Sequence, residues 1–295
     1  MTKLSQCPVC GEKVFTPYLA CTDFTVSHET FNIVQCENCQ FAFTNPYPEI
    51  SELGNYYKST AYVSHSSKPT TLIDHVYVLA RTQTLKWKTQ LINKNVTPQS
   101  PTLLDYGCGT GDFLLHCKNL GWQVSGVEPS TSACEIASTK TAQLIYPTLE
   151  QMPDTTFDVI TLWHVLEHVP NLHELIEALA QHLKQTGTIF IAVPNRNSWD
   201  AKHYKNIWAA YDVPRHLWHF RRQDMQKIMK AHSLKVVSTI PMKLDAYYVS
   251  LLSEKYRHTK LGPIPLLKSI INGLRSNISG YRTSEYSSHI YVIKK

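Results

Sequence analysis

Two pairs of cysteines near the start of the chain have the spacing of a metal site. Cys7 and Cys10 stand in "CPVCG", Cys36 and Cys39 stand in "CENCQ", and two residues separate the members of each pair. Two such pairs can close a tetrahedral shell of four thiolates around Zn²⁺, which leaves no open position for catalysis. The sequence therefore predicts a structural zinc site, with Cys21, which lies between the pairs, as a weaker candidate ligand.

Three glycines at alternating positions form a second group with chemical meaning. Gly107, Gly109 and Gly111 follow an apolar run that ends in Asp105, in "LLDYGCGTGDFL". A glycine-rich turn lets the backbone approach a ligand at the carboxyl edge of an α/β sheet, and this spacing differs from the G-x-G-x-x-G of dinucleotide sites. About 20 residues later, Glu128 can accept hydrogen bonds from two ribose hydroxyls. The pattern therefore predicts an adenosine-type ligand and disfavours a nicotinamide dehydrogenase.

Alternating strand and helix patterns after residue 100 must position these groups. Apolar runs such as "TLLDYG", "WQVSGV", "FDVITLW" and "TIFIAVPN" alternate with helical patterns such as "GDFLLHCKNLG" and "NLHELIEALAQHLKQTG", and the last is predicted to end at Gly187. This alternation is typical of parallel βαβ units. We therefore predict an α/β fold with a Rossmann-like, doubly wound, mostly parallel sheet of seven strands.

Changes of composition along the chain predict three segments. Residues 1–45 are expected to form a small zinc-ribbon-like module, and residues 46–98 a helical connector. The α/β domain is expected over residues 99–295, with substrate-cap insertions around 196–222 and 243–284. Between its cysteine pairs the module carries one lysine and no arginine, which is a poor footprint for phosphate binding. We therefore expect the module to brace the structure or to shape the substrate site.

Three motifs resemble those of class I S-adenosylmethionine-dependent methyltransferases: "LLDYGCGTGDFL", "VSGVEPS" and "FDVITLWHVLEHVPN", in this order. The resemblance covers residues 101 to 240 and the final strand. It implies an enzyme that uses S-adenosylmethionine, bound at the carboxyl edge of the sheet. The residues that it implies for cofactor binding are Asp105, Gly107, Gly109, Gly111, Glu128, Leu149, Glu150, Trp163 and His164, with Met152 as a further neighbour of the adenine.

The segment "HVLEH" allows a different interpretation. His164, Glu167 and His168 spell H-x-x-E-H, a pattern of certain zinc metallopeptidases, and on a helix these positions share one face. The peptidase motif lies inside a long helix, however, whereas this segment follows a predicted strand and stops before Pro170. The context therefore disfavours a peptidase, and His168 is expected to be a partly buried histidine.

A cluster of polar and aromatic residues follows the strand that ends in "VPN". The segment "AAYDVPRHLWHF" holds Tyr211, Arg215, His216 and His219. A methyl acceptor often loses a proton, and histidine titrates near neutral pH. We therefore predict His216 as the general base, His219 and Tyr211 as alternatives, and Arg215 as a ligand for an anionic substrate group. For each of them, a packing role is the alternative. The acceptor is expected to be a small molecule, such as a sugar or a lipid-like metabolite.

The segment "LGPIPLLKSIINGLR" carries apolar residues at helical spacing. Such a stripe most often packs into the core, and contact with a membrane surface or a lipid-like acceptor is the alternative. We therefore predict a core helix here.

Composition and charge limit the classes of function that the sequence allows. The 295 residues are 43% hydrophobic and 18% charged, which is typical of a globular protein. The formal net charge of +6 is scattered without a basic run, so an RNA or other nucleic-acid methyltransferase is kept only as the alternative. No stretch approaches the roughly 20 apolar residues of a membrane span, and the first residues lack the apolar region of a secretory signal. We therefore expect a cytoplasmic protein, and the sequence does not indicate an oligomeric state.

Overall fold

The computed structural model describes residues 1–58, 72–96, 101–258 and 262–295. The strands of these ranges are β1 (Phe15–Thr22), β2 (Thr30–Cys36), β3 (Ala42–Thr44), β4 (Thr102–Tyr106), β5 (Gln123–Val127), β6 (Ile145–Tyr146), β7 (Phe157–Trp163), β8 (Leu183–Pro194), β9 (Trp218–His219), β10 (Lys235–Pro241) and β11 (Ser288–Lys294). Their α-helices are α1 (Ile50–Leu53), α2 (Leu72–Asn95), α3 (Asp112–Asn119), α4 (Thr131–Thr141), α5 (Leu172–Gln181), α6 (Trp199–Tyr204), α7 (Arg222–Ala231), α8 (Asp245–Arg257) and α9 (Pro263–Thr283).

The larger sheet has seven strands in the order β10-β11-β8-β7-β4-β5-β6. Strands β8, β7, β4, β5 and β6 pair in parallel, and β11 runs antiparallel to both of its neighbours. The predicted mixed α/β fold with a mostly parallel sheet of seven strands is confirmed. The carboxyl ends of β4, β5 and β7 therefore meet at one edge, where ligands bind in such sheets.

Both faces of this sheet are covered by helices and apolar side chains. Leu103 packs in a buried cluster with Val159 on one face, while its neighbour Leu104 packs with Ile160 in a second cluster on the other. Successive residues of a strand point to opposite faces. Strands buried on both faces read as continuous apolar runs, which is why "TLLDY" and "FDVITLW" show no polar alternation.

The smaller sheet joins the N-terminal residues to a distant part of the chain. Its order is β1-β2-β3-β9, and β3 pairs with β9 through Ala42 with His219 and Phe43 with Trp218. Strand β9 belongs to the segment predicted as a substrate-cap insertion around 196–222. The cysteine-rich residues and this insertion therefore share one sheet.

Side chains of the α/β domain hold the loops that carry the cysteines. Arg221 Nη2 donates to the carbonyl oxygen of Cys39 at 2.7 Å, and Arg196 donates to that of Gln40. His173 Nε2 lies 2.6 Å from the carbonyl oxygen of Pro8. Polar contacts thus fix both cysteine loops to the domain.

One helix boundary differs from the prediction. Helix α5 ends at Gln181 and β8 begins at Leu183, so the predicted helix end at Gly187 is wrong. Leu183 is buried and pairs with Phe157, and Lys184 Nζ lies 2.8 Å from a carboxylate oxygen of Asp158. Pairing with β7 therefore overrides the local helical pattern.

The predicted connector is described only in part. Helix α2 agrees with the predicted helical pattern, but residues 59–71 and 97–98 of the predicted span 46–98 lie outside the described residues. The domain boundaries therefore stay predictions. Among the helices of the described ranges, none is long and apolar enough to cross a membrane.

Candidate active site

The glycine loop follows β4 and packs against the turn after β7. Gly107, Gly109 and Gly111 have φ values of 74°, 54° and 76°, in the left-handed region that favours glycine. A Cβ atom on Gly107 would lie 2.5 Å from Cγ2 of Val165, whereas one on Gly109 would meet nothing within 4 Å. Gly107 therefore permits close packing of the two loops, and Gly109 borders open space that a ligand can enter.

Glu128 follows β5 and lies against this loop. Its Oε2 accepts a hydrogen bond from the backbone N of Gly109 at 2.8 Å, and its Oε1 accepts one from that of Ser130 at 2.9 Å. Burial raises the pKa of Glu128, which is 9% exposed, and the two backbone donors oppose that shift. The hydrogen bonds that Glu128 accepts therefore hold this side chain, which is predicted to bind the ribose, against the glycine loop.

Asp105 occupies the end of β4, two residues before the first glycine. It is 2% exposed, and its Oδ1 accepts a hydrogen bond from Thr161 Oγ1 at 2.6 Å. Burial raises its pKa to about 7, although Thr161 and the positive charge of Lys88 act in the opposite direction. Asp105 can therefore exchange a proton near neutral pH.

Trp163 ends β7 beside a cation that the sequence did not indicate. Lys88 Nζ lies 4.1 Å from the centroid of the Trp163 ring, and Phe113 packs edge to face with the same ring at 5.4 Å. Lys88 comes from α2, and no motif singles it out from the other polar residues of that helix.

His164 follows Trp163 and lies between two carboxylates. Its Nε2 is 3.1 Å from Asp245 Oδ2, and its Nδ1 is 3.4 Å from Glu167 Oε1. Burial disfavours the charged ring, but these two carboxylates outweigh burial and raise the pKa of His164 to about 10. His164 is therefore a cation at neutral pH. Asp245, the first residue of α8, is a further site residue that sequence reasoning missed.

His216 meets His168 beside Glu167. The two imidazole rings pack edge to face, and His216 Nδ1 lies 2.9 Å from the carbonyl oxygen of Ala210. Because a carbonyl only accepts, Nδ1 carries the hydrogen and the neutral ring keeps its lone pair on Nε2. Burial lowers the pKa of His216 to about 4, and Asp212 opposes the shift. At neutral pH the ring is therefore uncharged.

Glu167, His168 and His216 offer one ligand atom each within 4.8 Å of one another. Glu167 is fully buried, and its carboxylate makes an ion pair with His164 at 3.4 Å. Such a group can take up the proton of a bound hydroxyl, and its donors also suit a divalent cation. Contrary to the H-x-x-E-H pattern, the third member of this group is His216 and not His164.

Tyr57 links this histidine group to the N-terminal part of the chain. Its hydroxyl lies 2.9 Å from His168 Nδ1, which is also 3.2 Å from the carbonyl oxygen of Arg215. Burial raises the pKa of Tyr57, and the charges of Asp212 and Glu128 are among the further causes. Charges from two regions therefore act on Tyr57. Glu128 belongs to the carboxyl edge of β4, β5 and β7, here called the cofactor edge, and Asp212 belongs to residues 209–220, here called the acceptor segment. Nothing in the local sequence of Tyr57 indicates its position.

The two alternative catalytic candidates face the smaller sheet. Tyr211 is 2% exposed, and its hydroxyl donates to that of Tyr18 at 3.4 Å. His219 lies on β9, with Nε2 at 3.1 Å from Thr44 Oγ1, and it packs edge to face on Tyr211. The structure therefore brings His216 to His168 but turns Tyr211 and His219 toward residues of β1 and β3.

Arg215 is enclosed by protein groups that take up its donor atoms. It is 1% exposed, its Nη2 donates to Asp23 and Asp212, and its Nη1 donates to the carbonyl oxygen of Tyr56 at 2.8 Å. The prediction that Arg215 binds an anionic substrate group is therefore wrong in this structure. Its role is to tie the acceptor segment to the N-terminal residues.

The residues predicted beside the adenine lie at the end of β6. Leu149 and Glu150 belong to a short 3-10 helix, and Met152 follows it. Leu149 and Met152 are buried, whereas Glu150 is exposed. The charges of Glu150 and Glu128 both add to the raised pKa of Tyr106, which burial dominates.

The four predicted zinc ligands converge. Their Sγ atoms lie within 4.8 Å of one another, with Cys7 to Cys39 and Cys10 to Cys36 at 3.5 Å each. Four thiolates at 2.3 Å from a tetrahedral zinc ion would be about 3.8 Å apart, so the arrangement fits Zn²⁺. Cys21 packs instead in a separate apolar cluster, and its candidacy as a ligand is therefore wrong.

Comparison with protein families finds a match over most of the α/β domain. Residues 79–239 match a family model described as "Methyltransferase domain". This range is more than half of the chain, and it contains the glycine loop, Glu128 and the histidine group.

Among curated proteins, the chain is similar to ubiquinone biosynthesis O-methyltransferases from several bacteria. A ubiquinone biosynthesis O-methyltransferase of Idiomarina loihiensis is 27% identical over 169 residues, 52% of this chain and 69% of that protein. One of Burkholderia ambifaria is 32% identical over 103 residues, 32% of this chain and 44% of that protein. The match therefore covers about two thirds of the length of the first relative and less than half of the length of the second.

Solved structures show the same fold at low sequence identity. A magnesium protoporphyrin IX methyltransferase from Synechocystis with bound SAH is 14% identical, with a TM-score of 0.54 over 84% of this chain and 100% of that one. A SAM dependent methyltransferase from Archaeoglobus fulgidus is 20% identical, with a TM-score of 0.50 over 73% of this chain and 94% of that one. The likeness at these identities concerns the fold.

Proposed function

Since this chain belongs to the methyltransferase-domain family and is an S-adenosylmethionine-dependent methyltransferase, we propose that it methylates a hydroxyl oxygen of a small-molecule acceptor. The observation that carries the proposal is the neutral His216 ring, whose Nδ1–H donates to the carbonyl oxygen of Ala210. Its lone pair is therefore on Nε2, which lies 4.0 Å from a carboxylate oxygen of Asp212. The name of the curated relatives supports oxygen as the methylated atom.

The cofactor residues of the proposal lie at one edge of the sheet. Asp105 and the glycine loop would hold the methionine part, Glu128 the ribose, and Leu149, Glu150 and Met152 the adenine. Trp163 and His164 would lie beside the sulfonium, with the charge of the His164 ring offset by the carboxylates of Asp245 and Glu167. The open space at Gly109 and the buried carboxylate next to it support this assignment. When bound, S-adenosylmethionine supplies an electrophilic methyl group at its sulfonium.

His216 acts as the general base in this proposal. The hydroxyl proton of the acceptor passes to His216 Nε2, and the oxygen keeps the electron pair that it needs as a nucleophile. The fully buried Glu167 lies within the same group and stabilises the imidazolium that forms. His164, fixed by Asp245 and Glu167, keeps the turn after β7 in place. Holding the reacting groups in attack geometry contributes a large part of the acceleration.

Tyr211 and His219 are the alternative candidates for the general base. Their contacts with Tyr18 and Thr44 support a packing role, because both side chains are almost fully buried against the smaller sheet. We propose that Tyr211 and His219 hold the backbone of His216 in position. Thr44 Oγ1 also donates to the carbonyl oxygen of His216 at 2.8 Å, so this support is direct.

We further infer that Cys7, Cys10, Cys36 and Cys39 hold one structural Zn²⁺. The convergence of four Sγ atoms, three of them from buried cysteines, supports the inference. The ion would brace the loops before β1 and β3. Since β3 pairs with β9, the metal would stabilise the segment that carries His216.

The proposal is tested by release of S-adenosylhomocysteine with matched acceptors. Sets of small molecules that differ only in a hydroxyl, an amine or a methoxy group at one position are offered with the cofactor. We expect turnover with members of the hydroxyl set and none with the methoxy set. Turnover confined to amines, or to RNA, would contradict the proposal.

A further inference from the structure

Helix α9 presents an apolar face to solvent. The outer face of α9 is defined here by Ile264, Leu267, Ile271, Leu274, Ile278 and Tyr281, and each of these side chains is 39% to 84% exposed. The prediction that this stripe packs into the core is therefore wrong. Scattered apolar residues on a surface are ordinary, but a continuous apolar face marks an interaction site.

The polarity of α9 is inverted relative to an ordinary surface helix. Its buried side carries Ser269, Asn272, Gly273 and Ser276. Asn272 Nδ2 donates to the hydroxyl of Tyr204 at 2.9 Å, and Ser276 Oγ donates to an oxygen of Asp200 at 2.6 Å. The polar side thus has its partners inside the protein, and the helix cannot turn its apolar side inward without breaking these bonds.

A row of cations borders the outer face. Lys268, Arg275 and Arg282 follow one another at intervals of seven residues, so they lie along one edge of the helix. Between Gly262 and Ser284 the chain carries no acidic residue. An apolar face with cations along one edge, on a helix without acidic residues, is complementary to the acyl chains and headgroups of an anionic bilayer.

The width of the apolar surface favours lipid over a second protein helix. Leu266 and Ile270 are also exposed, and with them the apolar arc spans about 160° at about 100° per residue. A helix pair buries mainly a narrow seam of residues that repeat every three or four positions, which would leave Leu266 in water. A lipid surface covers the whole arc.

We propose that α9 lies flat in the interface of a membrane that contains anionic lipids, with its outer face among the acyl chains. Lys268, Arg275 and Arg282 extend their charged ends to the headgroups while their stems cover apolar surface. This binding is peripheral, since no helix of the described ranges can span a bilayer. It does not depend on which acceptor the enzyme methylates.

The test is cosedimentation of the full chain with vesicles. We expect binding to phosphatidylcholine vesicles that contain phosphatidylglycerol, and weaker binding at high salt. Ile271→Glu/Leu274→Glu is expected to lower the partition coefficient at least tenfold, because two apolar anchors become charged. The matched control is Leu120→Glu/Leu144→Glu, which changes two exposed leucines in loops outside α9 and should bind like the wild type.

The cationic row has its own pair of variants. Lys268→Gln/Arg275→Gln/Arg282→Gln should lower partitioning on anionic vesicles roughly 10- to 100-fold. Lys3→Gln/Lys13→Gln/Lys235→Gln has the same net charge and alters exposed lysines elsewhere, so it should bind far better than the first variant. Circular dichroism and binding of S-adenosylhomocysteine check that each variant is folded.

Three results would overturn the proposal. One is absence of binding to anionic vesicles, and another is wild-type binding by Ile271→Glu/Leu274→Glu. The third is a dimer in analytical ultracentrifugation that this variant dissolves, without any vesicle binding, which would assign the outer face to a second copy of the chain. A failure to find methyl transfer would leave the vesicle result unchanged, so the two proposals fail separately.

Discussion

The imidazole rings of His168 and His216 meet edge to face, with their centroids 4.4 Å apart. His168 follows β7, whereas His216 belongs to the segment between α6 and β9. The contact therefore joins the loop that packs on Gly107 to the segment that the smaller sheet holds. The position of His216 beside Glu167 and His168 therefore depends on both the seven-stranded sheet and the smaller sheet.

Replacing His216 should reduce catalysis more than binding of the cofactor. We expect His216→Ala to lower kcat/KM by about 10²- to 10⁴-fold, the usual contribution of a general base. Its affinity for S-adenosylhomocysteine should stay within a factor of two or so, since His216 lies outside the cofactor edge. Steady-state kinetics and calorimetry measure the two quantities.

Tyr211→Phe is the matched control for this prediction. It removes one hydroxyl whose partner is Tyr18, and it should keep most of kcat. If His216→Ala turned over normally while Tyr211→Phe did not, the base would have to be reassigned to Tyr211.

Acid should destabilise the fold through buried His216. Burial lowers the pKa of His216 to about 4, whereas histidine in an unfolded chain titrates near 6.5. Between these values the unfolded chain binds more protons, so the free energy of unfolding falls as pH drops from 6.5 toward 4. One such histidine contributes of the order of 3 kcal/mol over this range, and nothing further below pH 4.

Urea unfolding at pH 7, 6 and 5 measures this dependence. His216→Asn should show a shallower loss of stability with acid, because one buried titrating group is gone. His28→Asn replaces an exposed histidine and should keep the slope of the wild type. Equal slopes for both variants would show that His216 is not buried in its neutral form.

Glu128 should control affinity for the cofactor. Hydrogen bonds to a charged group contribute about 1.5–3 kcal/mol each, so Glu128→Ala should weaken binding of S-adenosylhomocysteine at least tenfold. Glu135→Ala, which removes an exposed carboxylate from α4, should bind normally. Isothermal calorimetry gives both affinities, and an unchanged Kd for Glu128→Ala would remove the ribose assignment.

Loss of the zinc ligands should impair the acceptor segment at a distance. We expect one zinc per chain by elemental analysis, and none in Cys36→Ser/Cys39→Ser. Because β3 pairs with β9, this variant should also lose stability and most of kcat/KM. Cys134→Ser, a half-buried cysteine of α4, should keep both its zinc and its activity. Full activity without zinc would show that the metal does not support His216.

Local patterns predicted the strands of the α/β sheet and the glycine turn after β4, because their signals are short-range. The apolar runs of β4 and β7, and the glycines after β4, are each specified within a dozen residues. The order of strands then follows from parallel βαβ units, which constrain topology strongly. Glu128 could be placed because the end of a strand is readable from the sequence.

Residues that depend on tertiary contacts could not be predicted in the same way. Lys88 and Asp245 reach the site from helices that carry no motif, and Tyr57 reaches His168 across 111 positions of the chain. The two-residue strand β9 exists only because β3 lies beside it. The outer face of α9 has the periodicity of a core helix, and periodicity alone does not tell which side faces the protein.

Transfer of a labelled methyl group tests the central claim most directly. The protein is incubated with methyl-tritiated S-adenosylmethionine and a cell extract, and label is followed into small-molecule, RNA and protein fractions. We predict label in a small-molecule fraction with the wild type and Glu135→Ala, and almost none with Glu128→Ala or His216→Ala. Label in RNA alone, or no transfer by the wild type to any fraction, would contradict the account.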